Sequence, residues 1–235
     1  MVLKDVFGRT IYSGKKGKKY DNVSELLKDA RDDRIDINLI DLSHQGVCGL
    51  TFSDNVFCAD FRGSSICEVE FNHCFFDKAM FDDAFIHKVT FHDCLFGDYE
   101  GGNKEIHDVC FKGSRLNAVI FEKGRFISVD FGIGYLDSVS FRDCRYNCNG
   151  ICFDFIDIRR CLDRELFLNI LKAKAEKEKQ IDFIARVSFD KLCWEDAIEL
   201  AKSKGVFDWA YGVLSQFPTV KKHIDSMLNG ISADD

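Results

Sequence analysis

The sequence predicts an all-β, four-sided coil of short strands, with a small cap before it and a helical domain after it. Three observations support this prediction. Large apolar residues recur every five positions from Phe61 to Ile156, a small residue stands two positions before most of them, and the chain has 23 Phe but only one Pro among its 235 residues. A long segment without Pro keeps every backbone N–H available for pairing between strands.

The N-terminal cap, residues 1–34, is predicted to contain a β-hairpin and a short helix. Phe7-Gly8-Arg9 separates two short strand-like stretches and is a plausible hairpin turn. Asn22, followed by Glu25 three positions later, is typical of a helix start, and we expect that helix to run through Arg31. A coil of strands exposes unpaired edges at its ends, so this segment is expected to cover one of them.

The five-residue period defines the middle segment, residues 35–157. Of the twenty positions reached in steps of five from Phe61, nineteen are large and apolar and eleven are Phe. Neither a helix nor a regular strand has this period. It requires each unit to turn the chain by the same angle and to bury one large and one small side chain. Four units per turn place residues twenty apart on neighbouring rungs, about 4.8 Å from each other.

The charges agree with a twenty-residue turn. Like charges directly across a strand ladder are destabilising, so stacked rungs should pair opposite signs. From Asp60 to Asp157, only Arg125/Arg145 and Asp137/Asp157 pair like charges at this spacing. Seven pairs are of opposite sign: Arg62/Asp82, Glu68/Lys88, Lys78/Asp98, Lys88/Asp108, Glu105/Arg125, Glu122/Arg142 and Lys123/Asp143.

Two places depart from the period. Residues 97–105 carry three glycines and lose both inward positions, which indicates a bulged corner or a projecting loop. The Lys88/Asp108 pair, which bridges this stretch, suggests that the frame survives there. Upstream, Phe57 and Phe61 are only four apart, so we expect one or two earlier coils with a one-residue deletion.

Residues 158–235 are predicted to form a helical domain, because helical spacing replaces the five-residue step after Ile158. Its apolar stripes are expected to be core. The candidate helices are a stripe from Leu162 to Leu171, then Ile181–Val187, Asp190–Lys202 closed by Gly205, Phe207–Gln216, and Thr219–Leu228 after Pro218.

The sequence gives little indication of catalysis or metal binding. It has no Ser/His/Asp order, phosphate-binding glycine loop or H-E-x-x-H motif. His87 and His107 are twenty apart and should stack, as should His73 and Asp93, but a polar surface ladder is the preferred interpretation. Four cysteines form the only dense cluster, and their wide spacing and different directions favour ordinary thiols over zinc: Cys144, Cys148, Cys152 and Cys161. We therefore expect no enzyme and no cofactor.

Ala59-Asp60-Phe61-Arg62-Gly63 resembles the repeat unit of the pentapeptide-repeat family, and Val129-Asp130-Phe131 and Val89-Thr90-Phe91 are close to it. The resemblance covers about half of the chain. It implies a right-handed quadrilateral β-helix with a Phe-filled interior. The N-terminal segment is also similar to that of uncharacterised phage and bacterial members. Some members of the family are DNA-mimicking antagonists of DNA gyrase or topoisomerase IV, and the quinolone-resistance members end in a short dimerising helix rather than a helical domain.

The charge distribution points to a protein partner. The net charge is −7, and residues 35–100 alone carry twelve acids and three bases. Direct nucleic-acid binding is therefore not expected. We expect a non-catalytic scaffold of phage or bacterial type that presents an acidic rod and a helical docking domain to a protein; the alternative is a DNA-mimic antagonist of an enzyme such as gyrase. The candidate partner-binding residues are Asp60, Glu70, Asp77, Asp83, Asp93, Tyr99 and Glu100.

The remaining expectations concern location and assembly. The N-terminus, MVLKDVFGRT, has no apolar core of a signal peptide, and no uncharged run is long enough to span a bilayer. Eleven cysteines without a secretory signal favour reduced thiols over disulfides. We therefore expect a cytoplasmic protein that does not enter a membrane, and a homodimer is possible.

Overall fold

The structure is a computed structural model that describes residues 1–97, 109–146, 151–153 and 156–229. The chain divides into two compact units, Met1–Ile156 and Asp157–Asp235. The first unit contains the predicted cap, with its short helix, and the coil of strands. The second unit contains the C-terminal helices. Each unit is described by itself below.

The cap begins with the predicted hairpin. Strand β1 (Leu3–Asp5) pairs antiparallel with β2 (Thr10–Tyr12), and the carboxylate of Asp5 accepts hydrogen bonds from the backbone N–H groups of Phe7 (3.0 Å) and Arg9 (2.9 Å). The other edge of β1 pairs antiparallel with β3 (Ile40–Asp41). The hairpin is confirmed, and β3 extends it into the first coil, a pairing that the sequence analysis did not include.

The predicted helix follows as α1 (Val23–Asp32). Asn22 accepts a hydrogen bond from the backbone N–H of Glu25 (3.0 Å), which confirms Asn22 as the N-terminal cap. The helix is tied to the preceding loop through buried Asp29, which accepts hydrogen bonds from Lys18 Nζ (2.8 Å) and the Tyr20 hydroxyl (2.7 Å). These two hydrogen bonds hold the pKa of Asp29 below its usual value.

The coil has four faces, and three of them are parallel sheets of five strands within the first unit. The first face contains β4 (Gly46–Cys48), β7 (Ser65–Cys67), β10 (Phe85–His87), β14 (Arg115–Asn117) and β18 (Tyr135–Asp137). The second face contains β5 (Thr51–Ser53), β8 (Glu70–Asn72), β11 (Thr90–His92), β15 (Ile120–Glu122) and β19 (Ser140–Arg142). The third face contains β6 (Val56–Phe57), β9 (Phe75–Phe76), β12 (Leu95–Phe96), β16 (Arg125–Phe126) and β20 (Arg145–Tyr146).

The fourth face is less regular. Single parallel bridges connect Asp41 to Asp60, Asp60 to Met80 and Met80 to Cys110. Three short strands continue this face: β13 (Val109–Cys110), β17 (Val129–Asp130) and β21 (Ile151–Cys152). The four ladders together confirm the four-sided coil.

Stacked Phe rings fill the interior. The ring of Phe91 lies 5.0 Å from that of Phe71 on one side and 4.9 Å from that of Phe121 on the other, nearly parallel to both. The second inward column consists of small residues such as Ala79 and Cys94, which leave room for the rings. The large side chains that are almost completely buried are Phe57, Phe61, Phe71, Phe76, Phe81, Phe91, Phe96, Phe111, Phe121, Phe126, Phe131 and Phe141.

A left-handed residue marks most corners between faces. Glu68, His73 and Asp93 have φ values of 54°, 54° and 51°, and similar values recur at five-residue intervals through the coil. Non-glycine residues rarely adopt this conformation, so its repetition is a property of the unit. One left-handed residue in every five turns the chain by the same step, and this accounts for the period.

The register confirms one predicted irregularity and corrects the other. Val47 pairs with Ile66, nineteen residues on, as the one-residue deletion requires. Ile86 pairs with Leu116, thirty residues on instead of twenty, so the predicted twenty-residue turn is wrong between Gly97 and Val109. The five-residue step is kept, because Phe111 and Leu116 are buried at the positions that it predicts. That stretch adds two five-residue steps to one turn, and the glycine-rich sequence does not distinguish such an addition from a bulge.

The register explains the outcome of two predicted charge pairs. Lys88 Nζ lies 3.2 Å from Glu68 Oε1, which confirms that pair. The predicted Lys88/Asp108 pair is wrong, because the backbone of Lys88 donates to Asn117, on the rung thirty residues on. Asp98, Glu105 and Asp108 themselves lie outside the described residues.

The second unit begins with a short strand and continues as five helices: β22 (Asp157–Arg159), α2 (Arg164–Ala173), α3 (Glu178–Phe189), α4 (Trp194–Ser203), α5 (Phe207–Leu214) and α6 (Pro218–Leu228). Its core includes Phe167, Val187 and Val220. Within the described residues, no helix combines the length and the apolar character needed to cross a membrane.

Two helices start at other residues than predicted. Helix α3 starts at Glu178, earlier than Ile181, because Gln180 accepts from the backbone N–H of Lys177 (2.8 Å) and fixes the first turn. Helix α4 starts at Trp194 instead of Asp190, because Asp190 terminates α3. Pro218 occupies the first turn of α6, where its missing N–H costs nothing.

Candidate interaction surface

Charge is unevenly distributed over the four faces. We count each strand of a face together with the corner residue that follows it. Among the described residues, acids then outnumber bases five to two on the second face and five to two on the fourth. On the second face the acids are Asp54, Glu70, Asp93, Glu122 and Asp143, and the bases are Lys123 and Arg142. On the fourth face the acids are Asp41, Asp60, Asp82, Asp83 and Asp130, and the bases are Arg62 and Lys112.

The carboxylates of the fourth face are mostly engaged by their own turns. Asp41 accepts hydrogen bonds from the backbone N–H (2.9 Å) and hydroxyl (2.7 Å) of Ser43. Asp130 accepts in the same way from the backbone N–H of Gly132 (2.6 Å). An Asp that bonds the backbone two residues on stabilises a tight turn. These acids therefore shape the corner of the coil.

Asp60 is buried and bonded within this face. It is 6% exposed, and its carboxylate accepts hydrogen bonds from the backbone N–H (2.9 Å) and guanidinium of Arg62, whose Nη2 lies 2.5 Å from Oδ2. Burial favours the neutral acid, but the hydrogen bonds from Arg62 hold the pKa of Asp60 below its usual value. Asp60, one of the predicted partner-binding residues, is therefore already paired with a base two residues on in the sequence.

Asp82, on the next rung of the fourth face, accepts a hydrogen bond from the thiol of Cys110 (2.9 Å). Burial, together with this carboxylate, raises the pKa of Cys110 to about 12. The thiol therefore stays protonated at neutral pH and acts as a donor within the face.

The acids of the second face project outward instead. Asp54, Glu70, Asp93 and Asp143 are exposed, and Glu122 is half-buried. They stand on successive rungs of one parallel sheet, so the backbone fixes their spacing. This face is the more open of the two acidic surfaces.

The seven predicted partner-binding residues do not share one face. Glu70 and Asp93 lie on the second face, and Asp77 lies on the third, half-buried and accepting a hydrogen bond from the thiol of Cys58 (3.7 Å). Asp83 lies at the corner after the fourth face, diagonally opposite the corner of Asp93. Tyr99 and Glu100 lie outside the described residues. Five-residue steps turn the chain by a quarter each, so acids that are close in sequence separate.

Three acids of the second face were not among the predicted partner-binding residues. Asp54 lies before the stretch in which charges were compared, and Glu122 and Asp143 were assigned to pairs with Arg142 and Lys123. Assigning each residue to one of four faces by its position in the twenty-residue turn would have grouped them.

The two predicted histidine pairs start on different faces, His73 on the second and His87 on the first. His73 Nδ1 is 3.3 Å from Asp93 Oδ2, which confirms that predicted pair. His87 Nδ1 is 2.9 Å from Asn117 Oδ1 on the next rung, so the prediction that His87 stacks on His107 is wrong in register. His107 lies outside the described residues.

The described cysteines are free thiols. Cys94 points inward, where the hydrogen bond with Cys74 and burial raise its pKa, and burial raises the pKa of Cys161 to about 11. Cys144 donates to the carbonyl of Phe121 (3.3 Å), and Cys148 lies outside the described residues. Among the described side chains, no three His, Cys, Asp or Glu converge in a way that could hold a metal ion.

Each of the two units contains a cavity. An open groove of about 540 Å³ separates α1 from the first face, between Ser24 and Cys48, where the backbone N–H of Cys48 donates to Ser24 Oγ (2.8 Å). In the helical unit, an apolar gap of about 40 Å³ lies between Phe167, Trp194 and Leu214. A gap of this size is too small for an organic ligand.

Comparison with known proteins gives similarity to solved structures of pentapeptide repeat proteins. No protein-family model matches the chain, and no curated protein is similar to it at a significant level. HetL, a pentapeptide repeat protein involved in heterocyst differentiation regulation from Nostoc sp. strain PCC 7120, is 16% identical over 51% of this chain, with a TM-score of 0.29. The chain spans about half of HetL (49%).

Two further structures are similar at the same level. QnrB1, a plasmid-mediated fluoroquinolone resistance protein, is 12% identical over 58% of this chain and 84% of its own, with a TM-score of 0.23. Rfr23 from the cyanobacterium Cyanothece 51142 is 7% identical over 56% of this chain and 99% of its own, with a TM-score of 0.22. Values this low say nothing about function.

The chain's own geometry defines its class. Five-residue units, four parallel ladders and stacked inward Phe rings make the first unit a pentapeptide-repeat solenoid, a Phe-rich β-helix of about five turns. The helices of the second unit follow it in the chain.

Proposed function

We propose that this chain is a non-catalytic protein-binding protein, and that the second face of its solenoid binds a basic surface on a protein partner. The observation that supports this is the contrast between the two acidic faces. The carboxylates of the fourth face are largely held by their own turns, whereas four of the five on the second face are exposed and the fifth, Glu122, is half-buried.

The solenoid suits this role physically. Its rungs are held by backbone hydrogen bonds, so the second-face acids are ordered before a partner arrives and little entropy is lost on binding. A row of like charges on a rigid surface also steers an oppositely charged partner and increases the rate of association. The free thiols fit a reducing, cytoplasmic compartment.

The helical unit offers a contact of a different kind. Helix α3 exposes Ile181 (53%) and Phe189 (86%), which are large apolar side chains on the outside of the unit. We infer that this helix adds an apolar contact to the electrostatic one made by the solenoid.

The test compares two charge reversals of equal size. Glu70→Lys lies on the second face and Asp83→Lys lies at the corner after the fourth, and each changes the net charge from −7 to −5. Immobilised wild type and both variants are incubated with bacterial lysate, and captured proteins are quantified by mass spectrometry. We expect proteins with basic surfaces to be retained by wild type and Asp83→Lys, and to fall at least fivefold with Glu70→Lys. Equal capture by all three forms would contradict the proposal.

A DNA mimic of gyrase or topoisomerase IV type is the second candidate. The second and fourth faces lie on opposite sides of the coil, so the rod carries two separated rows of acids, an arrangement comparable to the two phosphate backbones of a duplex. A supercoiling assay with purified DNA gyrase tests this directly. Inhibition by wild type that weakens in Glu70→Lys would support mimicry, and no inhibition at micromolar protein would exclude this target.

A further inference from the structure

Two imidazoles stand side by side on the second face. His73 and His92 lie on neighbouring rungs, where the backbone N–H of His73 donates to the carbonyl of His92 (2.9 Å). Their ring centroids are 5.7 Å apart, and the ring planes are nearly perpendicular at 86°. The side chains are 54% and 32% exposed, so both rings can rotate.

Each imidazole also has a carboxylate beside one of its two nitrogens. Asp93 Oδ2 lies 3.3 Å from Nδ1 of His73, and Glu122 Oε2 lies 3.7 Å from Nε2 of His92. A carboxylate that accepts a proton from one ring nitrogen keeps the lone pair on the other. Histidines that bind metals are usually oriented in this way, with the second nitrogen donating to a carboxylate.

We propose that His73 and His92 bind one divalent transition-metal ion, through Nε2 of His73 and Nδ1 of His92, with Asp93 and Glu122 as orienting partners. An ion that binds two imidazoles at about 2.1 Å places their ring centroids roughly 5 Å apart. Small side-chain rotations therefore bring the two rings from the observed 5.7 Å to this spacing, without movement of the backbone.

The donor set defines the class of ion. Imidazole nitrogens favour Ni²⁺, Cu²⁺ and Zn²⁺ over Mg²⁺ and Ca²⁺, which prefer oxygen. Among the described residues no third ligand converges, so water completes the coordination and the ion exchanges readily. Lys123 and Arg142 occupy the rung positions beyond Asp93 and Glu122 and reduce the attraction for a cation.

The site goes beyond the proposed protein-binding function, because it needs no partner. Metal binding is measured on the isolated chain, whereas the capture experiment uses Glu70 and Asp83, which are not ligands. The test of metal binding can therefore fail while the test of protein capture succeeds, and the reverse.

Histidine-ring NMR of the full chain, titrated with NiCl₂, provides the test. Ni²⁺ is paramagnetic, binds imidazole and does not oxidise the free thiols. We expect the ring signals of His73 and His92 to broaden together, at a lower Ni²⁺ concentration than those of His44, His87 and His223. His87 is the internal control, since it lies on the first face and contacts Asn117.

Variants separate the ligands from their surroundings. His73→Ala should abolish the early broadening of His92, and the reverse should hold for His92→Ala, whereas His87→Ala should change neither. Asp93→Asn should weaken Ni²⁺ binding about tenfold, since loss of an orienting partner typically reduces metal affinity 10–100-fold. Broadening of all six histidines without a preference for His73 and His92, or independent broadening of these two, would overturn the proposal.

Discussion

Left-handed residues at the corners turn the chain, and glycine is required at only some of them. At Gly97 φ is +82°, and an added Cβ would lie 2.8 Å from the backbone nitrogen of Ser128. At Gly49 φ is +65°, and nothing lies within 4 Å of the same position. Gly49 occupies a repeated corner and Gly97 lies one residue before such a position, and together the two glycines separate the conformational preference of glycine from a need for space.

Gly97→Ala should destabilise the solenoid more than Gly49→Ala. Both variants lose about 1–2 kcal/mol because a Cβ disfavours the left-handed conformation, and Gly97→Ala loses roughly another 1–3 kcal/mol through contact with Ser128. Urea unfolding followed by far-UV circular dichroism measures the difference. Fluorescence reports the helical unit separately, because both Trp residues, Trp194 and Trp209, lie in it. Equal losses in the two variants would show that Ser128 moves aside.

The charge partners of individual side chains were the least predictable feature of single residues. A charge pair twenty residues apart was expected for Arg62, but its side chain folds back onto Asp60 within the same corner. A partner two residues away competes with one on the next rung, and periodicity carries no information about which of them wins. The sequence thus predicts where a residue stands on the coil better than it predicts which partner that residue takes.

At the scale of the element, the Phe columns are what stabilise the coil. Phe91 is fully buried between Phe71 and Phe121, whereas Phe85 on a neighbouring strand is 44% exposed. Phe91→Ala should cost about 3–5 kcal/mol, because it removes a large buried ring and leaves a cavity between two rungs. Phe85→Ala should stay within about 0.5 kcal/mol. Urea unfolding measures both, and comparable losses would mean that the columns are not the main source of stability.

The elements themselves were largely predictable, because each requirement is local. The pattern of one large and one small inward residue in every five predicts the coil. The pair Asn22 and Glu25 predicts the start of α1. The pairing of β3 with β1 and the starts of α3 and α4 were not predictable, since they depend on contacts and capping groups outside the repeated pattern.

At the scale of the whole molecule, the twenty-residue turn sorts the charges. Acids from distant parts of the chain, such as Asp54 and Asp143, reach one face because they occupy equivalent positions in different turns. This explains why a net charge of −7 gives two acidic faces instead of a uniformly acidic rod. The acidic surface could be predicted only by combining the charge pattern with the register of every turn, including the one in which ten residues are added.

That added stretch leads to a prediction for the whole solenoid. Phe111 stacks on Phe81, 4.6 Å apart, although thirty residues separate them, so ten residues of this turn are not needed for the stack. Removing residues 98–107 joins Gly97 to Asp108 and leaves one five-residue step between Phe96 and Phe111. Asp108 then takes the corner position that Asp83, Asp93 and Asp143 occupy elsewhere in the left-handed conformation.

The shortened chain should therefore fold as a regular coil, with the same circular dichroism spectrum as wild type. Shortening a connection changes the entropy of closing it only slowly with length, so the free energy of unfolding should change by no more than about 1 kcal/mol. Urea unfolding measures this change. A loss of several kcal/mol, or unfolding of the solenoid in two steps on either side of the junction, would show that the added residues stabilise the turn; an unchanged midpoint would show that the twenty-residue turn is complete without them.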